Sequence, residues 1–282
     1  MKSESAETRT LVFCNYAADC GKDDTMQLCL ELQGDGLCLP LSYRQYVQAM
    51  IYHVLRQEES YSAALHDGGE VYDGRRFKLF TFGQLEGRYA VQNGQIRFFD
   101  RVTLEIRSIR DDLLFRLLRE FYVGRRIRLK DNLLTVVKCG LENRRISARE
   151  ITIYTKSPIV AYITERDGKT TFFSPGEEMF YSLVVTNARR KRQSFYGAAD
   201  DLTVTPVENA VWRKQVTRFK DTRITAWDGR FRLSGSEEML NFLYHTGLGA
   251  KNSQGFGMFE LLNAHNGKNL VPERSASSKA ES

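Results

Sequence analysis

The residues best suited to chemistry lie near the C-terminal end of this 282-residue chain. Gly247-Leu-Gly-Ala-Lys-Asn-Ser-Gln-Gly-Phe-Gly257 sets four glycines within eleven residues. Without a Cβ, backbone N–H groups can come close to an anion, and Lys251 adds positive charge. The P-loop pattern is absent. The segment follows a helical pattern rather than a strand, so it is not a dinucleotide fingerprint either. An ordinary helix-to-strand loop is the plain alternative. Basic charge is the second feature: Lys and Arg number 41 against 35 Asp and Glu, a net charge of +6. Arginines cluster at Arg125-Arg126, Arg144-Arg145 and Arg189-Arg190-Lys191-Arg192. Such runs suit a polyanion, with a solvated face as the alternative. The residues able to move a proton near neutral pH are His53, His66, His245 and His265. No carboxylate pair stands out for a two-metal site. The five cysteines (Cys14, Cys20, Cys29, Cys38, Cys139) lack CxxC spacing, which argues against zinc, and their odd number without a signal peptide argues for reduced thiols.

These residues need a scaffold. Composition is globular, with 42% hydrophobic and 27% charged residues, and the length suggests two domains. No run approaches the ~18 apolar residues of a membrane span. The start lacks a signal-peptide h-region, so a cytoplasmic location without membrane contact is expected. Residues 1–25 read as a flexible extension. Alternation predicts a strand from Met26 to Leu32. Residues 41–57 read as a helix with Ser42 as N-cap and Tyr43, Tyr46, Val47, Met50, Ile51, Val54 and Leu55 on one stripe. At ~100° per residue, Tyr52 points ~160° away from the centre of that stripe, so the core does not require it. His53 lies at the stripe's flank. A short helix is predicted over 60–65, ending near His66, and a strand over 77–82. Asn93-Gly94 marks a hairpin. A strand over 102–109, a helix over 111–122 stopped by Gly124 and a hairpin around Asp131-Asn132 follow. For residues 26–145 this order is the β-α-β-β-α-β ferredoxin-like plan with added hairpins. The second unit, 146–262, is strand-rich. Residues 180–185 read as strand or short helix and 189–192 as an exposed loop. A helix over 236–245, the Gly-rich segment and a strand over 258–262 complete it. Residues 263–282 read as a disordered tail.

One series of local sequences is specific. Gly255-Phe-Gly-Met258 closes the Gly-rich segment. Leu39-Pro-Leu-Ser-Tyr43 leads a helix that reaches Met50-Ile-Tyr52. Ala64-Leu-His66, Phe77-Lys-Leu-Phe-Thr81, Lys156-Ser-Pro158 and Ile224-Thr-Ala-Trp227 follow in order. Across residues 26–262 this series resembles the CRISPR-associated endoribonucleases that process precursor CRISPR RNA, the Cas six family of repeat-associated proteins. Residues 1–25 have no counterpart in that pattern.

The resemblance implies an α+β protein of two tandem ferredoxin-like (RRM-like) domains. It implies an active site of a Tyr on the first helix, a His after it and a Lys opening the next strand, which are Tyr52, His66 and Lys78 here. It also implies precursor CRISPR RNA as partner, and leaves room for effector-complex subunits and a homodimer. No metal or other cofactor is required, because RNA carries its own nucleophile. Attack by the 2′-hydroxyl would yield a 2′,3′-cyclic phosphate and a 5′-hydroxyl. A histidine can transfer the proton, as base or as acid; a lysine can offset charge on the phosphorane, and a tyrosine can position the phosphate. Arg189, Arg190, Lys191 and Arg192, with Gly247, Gly249, Lys251, Asn252, Ser253, Gly255 and Gly257, are the expected RNA contacts. The rival reading is a non-catalytic RNA-binding subunit of a CRISPR effector complex on the same fold. A basic ferredoxin-like protein without RNA is a third.

Overall fold

The computed structural model describes residues 26–55 and 69–262. The predicted extension 1–25, the helix over 60–65, His66 and the tail 263–282 lie outside the described residues.

The first sheet contains β1 (Met26–Gln33), β2 (Phe80–Phe82), β3 (Val102–Ser108), β4 (Arg126–Leu129) and β5 (Asn132–Asn143). Its order is β2-β3-β1-β5-β4, antiparallel throughout. Leu28, Leu30 and Leu32 of β1 are fully buried, while the residues between them face the other side, as a two-residue repeat requires. Helices α1 (Arg44–Leu55) and α2 (Asp111–Glu120) cover the leucine face. Val47, Met50, Ile51, Val54 and Leu55 of α1 and Leu113, Leu114 and Leu117 of α2 are buried there. Apart from the hairpin strand β4 at its edge, this is a ferredoxin-like unit.

The second sheet repeats the plan with β6 (Glu150–Thr155), β7 (Leu202–Pro206), β8 (Arg230–Gly235) and β9 (Phe259–Leu261), in the order β7-β8-β6-β9. Its helices are α3 (Glu178–Tyr196) and α4 (Glu237–Thr246). Ser236 caps α4, its hydroxyl accepting from the Met239 N–H at 3.1 Å. The expected tandem ferredoxin-like architecture is therefore observed.

Helix α3 corrects two expectations. The residues read as strand or short helix, and the Arg189–Arg192 run read as an exposed loop, form one 19-residue helix. Its buried face is Phe180, Val184, Ala188 and Lys191. A lysine at the fourth core position interrupts the apolar periodicity that would have marked the helix.

The two units meet through buried charge. Arg107 on β3 is completely buried. Its guanidinium donates to the Phe259 carbonyl at 2.6 Å and to Glu105 and Glu260, each at 2.9 Å. It also lies 3.9 Å from the centroid of the Tyr244 ring. Lys156 pairs with Glu105 and with Glu86 at 2.9 Å. Burial alone would raise the Glu105 carboxyl, but Lys156 and Arg107 hold it below its ordinary range.

Removing the guanidinium leaves Glu105 with Lys156 alone and Glu260 with the Tyr244 hydroxyl, and it takes the buried donor from the Phe259 carbonyl. Arg107→Ala should lower stability by about 3–5 kcal/mol, the scale for breaking a buried ion pair. Urea unfolding of the two proteins measures it, and a loss under about 1 kcal/mol would contradict the assignment.

Candidate active site

Tyr52 and Lys78 are 26 residues apart in sequence and touch in space. The Lys78 Nζ donates to the Tyr52 hydroxyl at 3.0 Å and lies 4.8 Å from the centroid of its ring. Local structure explains the approach. Phe77 and Leu79 both bury their side chains in the second unit's core, so Lys78 between them is turned the other way. Leu79 adopts φ +50°, a left-handed conformation that costs a non-glycine residue roughly 1–2 kcal/mol. Its carbonyl accepts from the Ser108 hydroxyl at 3.1 Å.

Tyr52 is half-buried rather than free of the core. It packs against the first core, its ring meeting Phe80 edge-on at 6.1 Å. Burial pushes its phenol up to about 12, against the opposing pull of a side-chain hydrogen bond with Ser253. Tyr52 belongs to a polar row on α1 at four-residue spacing, Arg44, Gln48 and Tyr52, which share one helix face. Arg44 donates to the Gly255 carbonyl at 3.2 Å, and its guanidinium lies 5.0 Å from the Phe256 ring centroid. Gln48 donates to the Ser253 carbonyl at 2.6 Å. Thr81 on β2 donates to the Phe256 carbonyl at 3.2 Å. The Gly-rich segment is therefore seated on α1 and β2, and Ser253 reaches the Tyr52–Lys78 pair.

The glycines have a different local reason from the anion cradle expected of them. Gly247, Gly249, Gly255 and Gly257 all have positive φ. A Cβ on Gly257 would lie 1.9 Å from the Leu248 carbonyl oxygen, and one on Gly255 would lie 2.5 Å from the Phe82 ring. The N–H groups of Leu248, Ala250, Gln254, Gly255 and Gly257 are bonded to protein carbonyls. Lys251 holds φ +62° with its Nζ 4.9 Å from the Tyr162 ring centroid.

The arginines of the Arg189–Arg192 run are paired with carboxylates, with Arg189 still exposed and Arg190 and Arg192 partly buried. Arg189 pairs with Asp201 and Arg192 with Asp200, each at 2.9 Å, and Arg190 with Asp73 at 2.8 Å. Lys191 is buried, bonded to Thr246, Gly247 and Asn252. Of the described histidines, His53 is exposed on α1 and His245 is buried in the second unit. Among the described residues no group of three or more His, Cys, Asp and Glu is gathered as metal ligands would be. No described helix is long and apolar enough to cross a membrane.

Comparison with known proteins agrees with this architecture. Residues 141–261 match the family described as CRISPR associated protein Cas6, C-terminal. Over 259 residues the chain is 27% identical to CRISPR-associated endoribonuclease Cas6 1 of Methanocaldococcus jannaschii, covering 87% of this chain and 96% of that protein. It is 24% identical over 231 residues to CRISPR-associated endoribonuclease Cas6 of Pyrococcus furiosus, covering 79% and 83%. A solved CRISPR associated protein Cas6 superposes with a TM-score of 0.67 at 25% identity, covering 85% of this chain and 100% of the other. A Cas6-related protein from Pyrococcus furiosus shares the fold with a TM-score of 0.74 at 19% identity, covering 85% and 99%. The family resemblance read from the sequence is thus borne out.

Two measurements follow from this geometry. The Tyr52 phenol lies above its ordinary value of 10.0, so its contribution to stability is complete below pH 10.0 and lost as pH rises toward about 12. An ultraviolet phenolate titration of wild type minus Tyr52→Phe should show the step near 12; a step at the ordinary value would contradict the burial argument. Gly257→Ala should cost more than about 2 kcal/mol, because backbone clash adds to left-handed strain. Gly124→Ala, at φ +88° with nothing within 4 Å of its Cβ, should cost only about 1–2 kcal/mol. Equal losses in urea unfolding would remove the close approach as the reason for Gly257.

Proposed function

We propose that this relative of the Cas6 endoribonucleases cuts precursor CRISPR RNA within its repeat, with the bond-breaking chemistry at Tyr52, Lys78 and His66. The observation that carries the reading is the meeting of the Lys78 ammonium and the Tyr52 hydroxyl at 3.0 Å, on the residues that the family resemblance names. In the proposed reaction the ribose 2′-oxygen forms a bond to phosphorus while the bond from phosphorus to the 5′-oxygen breaks. The 2′-proton passes to a base, and the leaving 5′-oxygen takes a proton from an acid. The products are a 2′,3′-cyclic phosphate and a 5′-hydroxyl.

The residues divide the work by their acidity. A tyrosine is a phenol at neutral pH already at its ordinary value of 10.0, and burial moves Tyr52 further from ionisation, so it donates a hydrogen bond to the scissile phosphate rather than acting as a phenolate base. The Lys78 ammonium offsets the charge that builds on the nonbridging oxygens. His66, whose unperturbed pKa is about 6.5, transfers the proton. Precursor RNA would reach this pair alongside Ser253 and Lys251 of the Gly-rich segment, which are partly exposed. The glycines of that segment hold its course, and Arg189, Arg190 and Arg192 offer phosphate contacts at the cost of their present carboxylate partners.

Incubation with repeat RNA from the same locus, in chelator, should give one cut with the stated ends. His66→Ala should slow single-turnover cleavage by about 10²-fold or more with RNA affinity nearly unchanged. Tyr52→Phe and Lys78→Ala should each slow it by about 10- to 10²-fold. Binding without any cut would favour the RNA-binding-subunit reading, and wild-type rates in all three variants would move the chemistry elsewhere.

A further inference from the structure

Lys191 occupies a core position of α3 and is 2% exposed. A buried ammonium is costly unless each of its donors is used. Here the three partners are acceptors: the Thr246 carbonyl at 3.3 Å, the Gly247 carbonyl, and the Asn252 side-chain oxygen at 3.0 Å. Two of these are carbonyls at the C-terminal end of α4, where unpaired oxygens and the helix dipole favour a cation. Burial pulls the lysine down to about 7, while three acceptors around one nitrogen oppose that pull by favouring the protonated form.

The third partner connects this cation to the candidate active site. Besides accepting from Lys191, the Asn252 side chain donates to the Leu248 and Phe256 carbonyls at 3.0 and 3.1 Å. It thus ties both limbs of the Gly-rich segment together. The next residue, Ser253, is held through its carbonyl by Gln48 and meets Tyr52 through its side chain. We propose that Lys191 is a positioning residue for the cleavage site: its ammonium fixes Asn252 at the end of α4, and Asn252 fixes the Ser253 hydroxyl against Tyr52. This rests on the reading that Tyr52 faces the scissile phosphate. It gives the most basic run of the sequence an internal role at its one buried member.

The test compares Lys191→Met, which keeps the length of the side chain and removes the charge, with Ser253→Ala and the double variant. Lys191→Met should slow single-turnover cleavage by about 10- to 10²-fold, the scale of a small misplacement, with RNA affinity within about twofold of wild type. In the Ser253→Ala background the same change should have little further effect, since both act through one contact. Equal slowing in both backgrounds, or a wild-type rate in Lys191→Met, would overturn the proposal. If Lys191→Met does not fold, Asn252→Ala takes its place in the same cycle, with the same expectations. NMR of labelled tyrosine separates this proposal from the cleavage reading. Lys191→Met, or Asn252→Ala in its place, should displace the Tyr52 ring signals as Ser253→Ala does, even if wild type cuts no RNA. Unmoved signals would overturn it.

Discussion

Between α4 and β9 the chain runs where side chains do not fit. A Cβ at Gly257 would strike the Leu248 carbonyl, one at Gly249 would come within 2.6 Å of the Val160 oxygen, and one at Gly255 would strike Phe82. The path is therefore fixed by backbone packing from within the second unit and against the first. With its course set, its carbonyls at Ser253, Gly255 and Phe256 face Gln48, Arg44 and Thr81. Tyr52 and Lys78 both come from the first unit's share of the chain. The second unit nevertheless shapes their surroundings, since it supplies Ser253 and buries Phe77 and Leu79 on either side of Lys78. A change of angle between the units would alter the site without altering any residue in it.

Several buried cations at and near this junction take backbone carbonyls among their acceptors. Arg44 donates to Gly255, Arg107 to Phe259, and Lys191 to Thr246 and Gly247. Such contacts pay little in net stability, because taking a charge out of water costs several kcal/mol that the new bonds must first offset. Their effect is geometric. A guanidinium or ammonium hydrogen-bonded to fixed acceptors tolerates few placements of them, whereas apolar packing of the same volume tolerates sliding. Arg107 adds two carboxylates from different units, Glu105 and Glu260, and so reports on both sheets at once.

Periodicity and turn chemistry made most of the fold legible in the sequence. The alternation of β1, the stripe of α1 and the Asn93-Gly94 turn with both residues at positive φ each express a local rule that tertiary packing leaves intact. Helix α3 was hidden because its core row ends in Lys191, and pattern reading assigns a lysine to solvent. The Gly-rich segment was visible as a feature, but its reason was not: glycine is equally suited to approach an anion or another backbone, and only the positions of Leu248 and Phe82 distinguish the two. Tyr52 was legible as a residue outside the apolar stripe. The row Arg44, Gln48, Tyr52 was also present in the sequence, at helical spacing, but the loop that it holds lies about two hundred residues away.

The acidity of the pair bears on where the proton goes. Tyr52 is a phenol at neutral pH and Lys78 is its donor, so the pair offers protons and positive charge but no ready acceptor. On the proposed reading, a group that titrates near neutrality must be added. His53 follows Tyr52 directly on α1, and one helical step turns it about 100° aside. His245 is enclosed in the second unit with Nδ1 2.8 Å from the Asn241 carbonyl. The described chain stops at Leu55, three residues after Tyr52, and resumes at Gly69, where a Cβ would lie 2.9 Å from the carbonyl oxygen of Phe77, the residue before Lys78. On the proposed reading the proton acceptor is His66, which lies outside the described residues and is encoded between these two points.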